Sequence, residues 1–456
     1  MDLFVFSKVI FLLFFEVFRS LAPLAEGAAC TFNVTNKATE RYQPIPLFNS
    51  SSDYQLAVPY QGTIRLAAGQ NISLLCAGNR NYVRQTNANI STVTCIEGDV
   101  VKLFRNVYKF EEIQCKNAVR GEVRNTKTKC GTHAQEGVVF RIGYPPSRTD
   151  WLTLISICYI PENGNTLYTR HVIHGKEIKY ASKTSYRPFF STAGEMFNIT
   201  SSVAYKQAYQ KSTFSSILGS SVLASRYINR KYFLAKGHLS PDADFLLATE
   251  QYSTYYYINV APQWQIINTA NWKSVEFTMR NMATYYGYLE VITGTHGILT
   301  YNDSDNIPQP ISLGTNGILP VPKYFWKIAY EPKTRRAIVF IVLNDPHTKD
   351  ATPDVFCQDT CLEHGFLKNA WKNASSGYVF CCSVSDFKKE VKSSPELEVS
   401  AVLPDPCIDD DDEHVALYNK TLTKFSLNQA KFRCNPVAGK LIWLQHTNGR
   451  PILPFN

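Results

Sequence analysis

The sequence Lys231-Tyr-Phe-Leu-Ala-Lys-Gly-His238-Leu-Ser-Pro-Asp242 precedes Tyr255-Tyr-Tyr-Ile-Asn259-Val-Ala-Pro262-Gln263, and Asn268-Thr-Ala-Asn-Trp272-Lys-Ser-Val-Glu276-Phe-Thr-Met-Arg280 follows. The first segment is a short apolar run ending at Gly237-His238. The second reads as a strand, over Thr254 to Val260, that ends in proline. In the third, Asn268, Trp272, Glu276 and Arg280 recur every fourth residue. At about 3.6 residues per turn such positions share one slowly drifting helix face. Asn268 also suits a helix N-terminus. A strand followed by a helix, both carrying polar groups, belongs to a mixed α+β core.

Working outward, residues 146–345 hold the longer strands expected of that core: Trp151 to Ile160, Thr166 to Ile173, Tyr288 to Thr293 and Arg336 to Leu343. Stretches with helical spacing lie between them. Residues 28–145 carry short β-type runs punctuated by Gly and Asn, which predict a small disulfide-tied β domain. Residues 346–456 form a Cys-rich C-terminal part with an acidic run at Asp409 to Glu413. That run is expected to be a solvated loop, with a Ca²⁺ site as the sharper alternative.

The first 27 residues read as an export signal. Lys8 precedes an apolar run from Val9 to Phe18, and small residues follow near Gly27 and Ala28. The run is too short for a membrane span, which needs about 20 apolar residues. The chain has 12 cysteines, an even set that an exported protein oxidises to disulfides. A zinc site at Cys357, Cys361, Cys381 and Cys382 is the competing reading. Sequons at Asn33, Asn49, Asn71, Asn89, Asn198, Asn302, Asn373 and Asn419 suit a secreted glycoprotein. The net charge is +9, and loss of residues 1–27 would raise it by one, since Lys8 and Arg19 leave with Asp2, Glu16 and Glu26. Such a balance favours polyanionic partners, nucleic acid foremost, without separating an enzyme from a binder.

The residue types around His238 match what phosphodiester hydrolysis requires. Histidine titrates near neutrality and can deprotonate water. Charge building on the phosphate needs a cation, either a guanidinium or a metal. Mg²⁺ keeps most of its waters, so one carboxamide oxygen at Asn268 is a sufficient protein anchor. Glu276 would position the ion's water shell, and Arg280 would grip a phosphate oxygen. Each residue also has a plainer reading. Asn268 can be a cap, Trp272 core packing, and Glu276 with Arg280 an i,i+4 ion pair. Only their combination points to a site.

That combination resembles the DNA/RNA non-specific endonucleases, the ββα-metal nuclease family, and within it the secreted double-stranded ribonucleases of arthropod gut and saliva. The resemblance implies a ββα-metal core with His238 as general base. Asn259, Pro262 and Gln263 match the family's Asn-x-x-Pro-Gln strand, and Asn268 matches its metal ligand. Trp272, Glu276 and Arg280 match the helix that follows. Arg187, in Ser-Tyr-Arg-Pro, is similar to an upstream substrate-binding arginine. The family's usual Asp-Arg before Gly-His is Ala235-Lys236 here, so Lys236 stands in as a point charge. The implied cofactor is Mg²⁺, with Mn²⁺ as substitute. The implied substrate is double-stranded RNA, with DNA and single-stranded RNA as further substrates, and the implied products carry 5′ phosphates. No membrane partner is expected. Two other readings stay open: a nucleic-acid binder without catalysis, and an extracellular protein whose β domain does the main job.

Overall fold

The computed structural model describes residues 29–35, 40–50, 53–195, 201–366 and 368–406, together with the backbone of strands Ala430–Asn435 and Lys440–His446. A nine-stranded sheet dominates it. Its strands run in the spatial order Val379–Cys382, Arg336–Leu343, Pro322–Glu331, Tyr288–Ile298, Asn165–His174, Leu152–Ile160, Gln135–Tyr144 and Glu122–Thr132. Each pairs antiparallel with its neighbour, and Ala401–Val402 adds in parallel beside Arg336–Leu343.

The central strands are apolar because both faces of the sheet are covered. Successive side chains point to opposite faces, so Ile338, Phe340 and Val342 enter one core while Val339, Ile341 and Leu343 enter another. The first core holds the helices Gln207–Ile217, Ser221–Tyr227 and Lys273–Tyr286. The second is closed by Val384–Glu390, whose Phe387 packs edge-on against Trp326 at 5.1 Å. In Lys273–Tyr286 the buried residues Val275, Thr278, Met279, Met282 and Ala283 follow the helical period. That stripe fixes which face remains for the site.

The N-terminal region builds a six-stranded sheet over its own core, with Cys30–Cys95 and Cys76–Cys115 inside it. Tyr144 and Leu247 also belong to that core, so it is continuous with the main body. The border expected at residue 145 falls after two strands, Glu122–Thr132 and Gln135–Tyr144, that the nine-stranded sheet has already taken up. Gln135–Tyr144 pairs with Leu152–Ile160 and Glu122–Thr132 pairs with Gln135–Tyr144, which makes both part of the larger unit.

The zinc reading is overturned: the four sulfurs are paired as Cys357–Cys382 and Cys361–Cys381. Cys407 and the acidic run Asp409 to Glu413 lie outside the described residues, as does the side chain of Cys434. The six described sequon asparagines, Asn33, Asn49, Asn71, Asn89, Asn302 and Asn373, are all exposed. No helix among the described residues is long and apolar enough to cross a membrane.

Cys130–Cys158 joins two strands that are not neighbours, with Gln135–Tyr144 between them. It passes over Gly137, where a Cβ would lie 3.2 Å from the Cys158 sulfur and 2.8 Å from the Tyr159 carbonyl oxygen. Glycine is needed there by contact. The bridge closes a sequence separation of 28 residues, and chain-entropy reasoning gives such a loop about 3.6 kcal/mol of stabilisation. Replacing both cysteines with serine is expected to lower the unfolding free energy by about that much, as read from denaturant melts of the two proteins.

Candidate active site

Leu234–His238 pairs antiparallel with Val260–Trp264. Alternation along the strand puts Lys236 and His238 on one face, Ala235 and Gly237 on the other. A Cβ on Gly237 would come within 2.6 Å of both Cβ and Oε1 of Gln263, so only glycine lets the two strands approach this closely. The expected strand over Thr254 to Val260 is not formed. Tyr257–Asn259 is a single 3-10 turn, and the strand begins at Val260. Asn259 explains the difference. Fully buried, its carboxamide donates to the Ser240 and Thr254 carbonyls at 2.9 Å each and accepts from the Ser240 amide at 3.1 Å. Its own carbonyl accepts from the Leu239 amide at 3.0 Å. These bonds curl the chain before Val260 and clamp the turn that follows His238.

His238 lies among rings: Phe190 and Tyr255 each have their centroid 5.2 Å from the imidazole. Its Nε2 is buried and has no hydrogen-bond partner in the protein. Burial, then the nearby charges of Arg187, Lys236 and Lys327, pushes the His238 pKa down to about 3. The imidazole is therefore neutral, with a nitrogen open to accept a proton. Lys236 rests over the Phe190 ring at 5.3 Å and the Tyr205 ring at 5.5 Å, and burial lowers the pKa of its ammonium. Arg187 donates to the Asp242 carboxylate and, at 2.5 Å, to the Tyr255 hydroxyl, which itself donates to Asp242 at 2.7 Å. The Arg187 side chain is 63% exposed, so its guanidinium can exchange these partners for a ligand at the surface.

The helix also departs from expectation at its start. Asn268 is not an N-cap: helical backbone begins at Gln265, and Asn268 opens a π-helical turn, Asn268–Trp272, that runs into Lys273–Tyr286. Such one-turn widenings cluster at functional sites. Gln265–Ile267 packs against the strand that carries His238. Trp272 is fully buried. Arg280 does not pair with Glu276. Its guanidinium donates to Asp244 at 2.7 Å, and Asp244 is also bonded to His171 Nε2 at 2.9 Å. Lys327, fully buried, donates to the Leu239 carbonyl at 2.9 Å and to the Thr293 hydroxyl at 2.7 Å, 4.9 Å from the Trp272 ring. Burial tends to raise the Asp244 pKa, but the His171 bond and the Arg280 and Lys327 charges outweigh it and hold the carboxylate ionised. Burial raises the Glu276 pKa against the pull of Lys327, and lowers that of Lys327 against the pull of Glu276 and Asp244.

The donor set fits a hard divalent cation. Neither the Asn268 carboxamide nor the Glu276 carboxylate has a hydrogen bond to another described residue. Eight residues apart on helical backbone, they are about 12 Å apart along the axis, so both cannot hold one ion directly. Asn268 would be the ligand, with Glu276 reaching it through water, the sparse coordination that Mg²⁺ tolerates.

Sequence reasoning missed Asp242, Asp244, His171, Lys327, Phe190 and Tyr255. Lys327 had a signal: it shares strand parity with Phe325 and Ala329, which face the core. A lysine at such a position has to be buried with partners. His171 and Asp244 are 73 residues apart in sequence, and no local pattern joins them.

The depressed His238 pKa carries a stability consequence. Between the ordinary histidine value of 6.5 and about 3, the unfolded chain takes up a proton there that the folded chain refuses. Stability is therefore lost as pH falls through 6.5, and the loss is complete near 3. His238→Ala removes this term. Melts at pH 7 and pH 5 should show the variant gaining on the wild type by about 1–2 kcal/mol.

Comparison with known proteins gives the family of the chain. The chain is 29% identical over 372 residues to a salivary endonuclease of Lutzomyia longipalpis, covering 80% of this chain and 84% of that one. It is 24% identical over 371 residues to salivary protein Tsal2A of Glossina morsitans morsitans, covering 80% and 92%. A solved EndoG/EndoGI complex matches 56% of this chain and 89% of its own at 14% identity, with a TM-score of 0.31. Residues 135–387 match the model of the DNA/RNA non-specific endonucleases. That match takes in the hairpin, the helix and every residue placed around His238, and the chain belongs to the DNA/RNA non-specific endonuclease family, whose members are divalent-metal-dependent nucleases.

Proposed function

We propose that this nuclease is a secreted, Mg²⁺-dependent endonuclease that acts on double-stranded RNA, with His238 as its general base. The observation that carries the reading is the buried, unpartnered Nε2 of His238 between Arg187 and Lys236, on a strand packed against the helical turn that leads to Asn268. His238 takes a proton from the attacking water at that nitrogen. Arg187 leaves Asp242 and Tyr255 to bind a phosphate oxygen, and Lys236 adds its charge from the same face of the hairpin. A divalent ion on Asn268, when bound, offsets charge on the phosphate and the leaving 3′ oxygen. Glu276 orients water toward that site, and Arg280, fixed on Asp244, places a further cation beside it. Asn259 holds the turn after His238 and acts through position alone. Cleavage leaves the phosphate on the 5′ side.

Substrate binding also adjusts the base. An anionic phosphate cancels part of the Arg187 and Lys236 field that depresses His238. Its pKa rises toward the working pH, which improves it as a base. The apolar run before residue 28, the exposed sequons and the relatives named as salivary support secretion. The resemblance to arthropod double-stranded ribonucleases supports the RNA preference. Cleavage without sugar preference is the second reading, favoured by the description of the matching family.

Matched double-stranded RNA, double-stranded DNA and single strands, offered with Mg²⁺ or EDTA, test the reading. Cutting should require the ion and be fastest on double-stranded RNA. His238→Ala should lose at least about a hundredfold in kcat, and Asn268→Ala should raise the Mg²⁺ needed for half-maximal rate. Full cleavage by His238→Ala would remove the proposed base, and equal rates on RNA and DNA would favour the second reading.

A further inference from the structure

Beside Arg187 the surface carries a row of cations laid over tyrosine rings, and the N-terminal β unit supplies most of it. The Arg41 guanidinium lies 4.0 Å from the ring of Tyr186, the residue before Arg187. Arg41 and Arg84 both sit over Tyr42, at 5.9 and 5.4 Å, and Lys116 sits over Tyr82 at 4.9 Å. Main-chain bonds lay these segments side by side: Cys115 N donates to Tyr42 O at 2.8 Å, Lys116 N to Tyr82 O at 2.9 Å and Val119 N to Arg41 O at 2.9 Å. The row is also tied to the active-site loop. Thr184 donates to Glu40 at 2.6 Å, and Arg120 donates to the Phe189 carbonyl at 3.1 Å.

Arg41, Arg84 and Lys116 are exposed, and none forms an ion pair with a described residue. Glu40, the neighbouring carboxylate, is buried and engaged by Thr184. Arg84 Nε donates to the Cys115 carbonyl at 3.1 Å. A cation held by a ring and a backbone carbonyl keeps its full charge and is already oriented. Uncompensated, preordered cations spaced along one surface suit a phosphodiester backbone, and the rings between them suit sugars and bases.

We propose that this face of the N-terminal unit is a second segment of the nucleic-acid site, carrying the strand that leaves the active site past Arg187. The proposal rests on the nuclease reading of the His238 site. It gives the N-terminal unit a substrate-holding role through Arg41 and Arg84, with Lys116 extending the track.

The test uses the full chain with Arg41→Gln and Arg84→Gln combined, and the same pair changed to Lys. Binding of a labelled RNA duplex is measured in EDTA over a salt series. Cleavage of long duplex is compared with that of a nitrophenyl diester of a single nucleotide, and Tm is recorded for each protein. The Gln pair should weaken duplex binding roughly tenfold and reduce the salt slope by about 2, one for each lost phosphate contact. KM for duplex should rise, while kcat, the diester rate and Tm stay put. The Lys pair should recover the slope. Unchanged affinity and slope in the Gln pair would overturn the proposal. So would a parallel loss on duplex and diester with a lower Tm, which would mark the two arginines as structural. If the wild-type chain binds duplex with the expected slope, and the Gln pair weakens it, while no substrate is cut, the catalytic reading fails and the binding track stands.

Discussion

Asp244 is the anchor on which the rest of the site depends. It is a carboxylate removed from water, and it stays ionised because His171 and Arg280 bond to it directly while the Lys327 ammonium stands near. Burying such a cluster costs desolvation of every member, and the same residues replaced by well-packed apolar ones would often be as stable. What the cluster provides is position. Lys327 reaches the carbonyl of Leu239, the residue directly after His238, and Arg280 fixes the helix that carries Glu276 and Asn268. One set of charges therefore registers the hairpin, the helix and the central sheet against one another. Removing one member would leave the others as unpaired buried charges, so the arrangement tolerates little drift.

Ala235-Lys236 lies on the strand that leads into the turn this cluster holds. Strand alternation sends residue 235 to the face opposite His238, where Gln263 crosses over Gly237 and neither of its amide atoms has a protein partner. The usual carboxylate would have occupied that face. Lys236 stays on the side of His238, but between Phe190 and Tyr205, where it contributes charge without the two-pronged geometry of a guanidinium. The positive field at the imidazole is preserved by different means.

How much was legible in the sequence depended on whether the governing contact was local. Arg336–Leu343 was readable because an unbroken apolar run belongs to a strand covered on both faces. The four-residue spacing from Asn268 to Arg280 was readable because it is a property of one helix. Asn268 as a cap was not the outcome, since helical backbone started three residues earlier and widened into a π turn whose Asn271 bonds to the distant Ala370 and Gly377 carbonyls. The tyrosine run at 255–257 was misread for the same kind of reason. Its aromatics have strand propensity, yet Asn259 diverts the backbone by bonding across to Ser240. The ion pairs of Arg187 and Arg280 were invisible because their partners, Asp242 and Asp244, arrive from another segment.

The staple over Gly137 has a consequence beyond unfolding free energy. Glu122–Thr132 is the outermost strand of the nine-stranded sheet, 11 residues long, with one side unpaired among the described strands. A long free edge invites pairing with another chain. Here the second strand inward is bonded covalently to the outermost one, so the edge cannot peel away and offer a longer template. The same strand carries Arg124, Lys127 and Lys129, and it buckles at Lys127, where φ is 60°. Charge, a bulge and a covalent tie together make it a poor template for edge-to-edge strand pairing with a second chain.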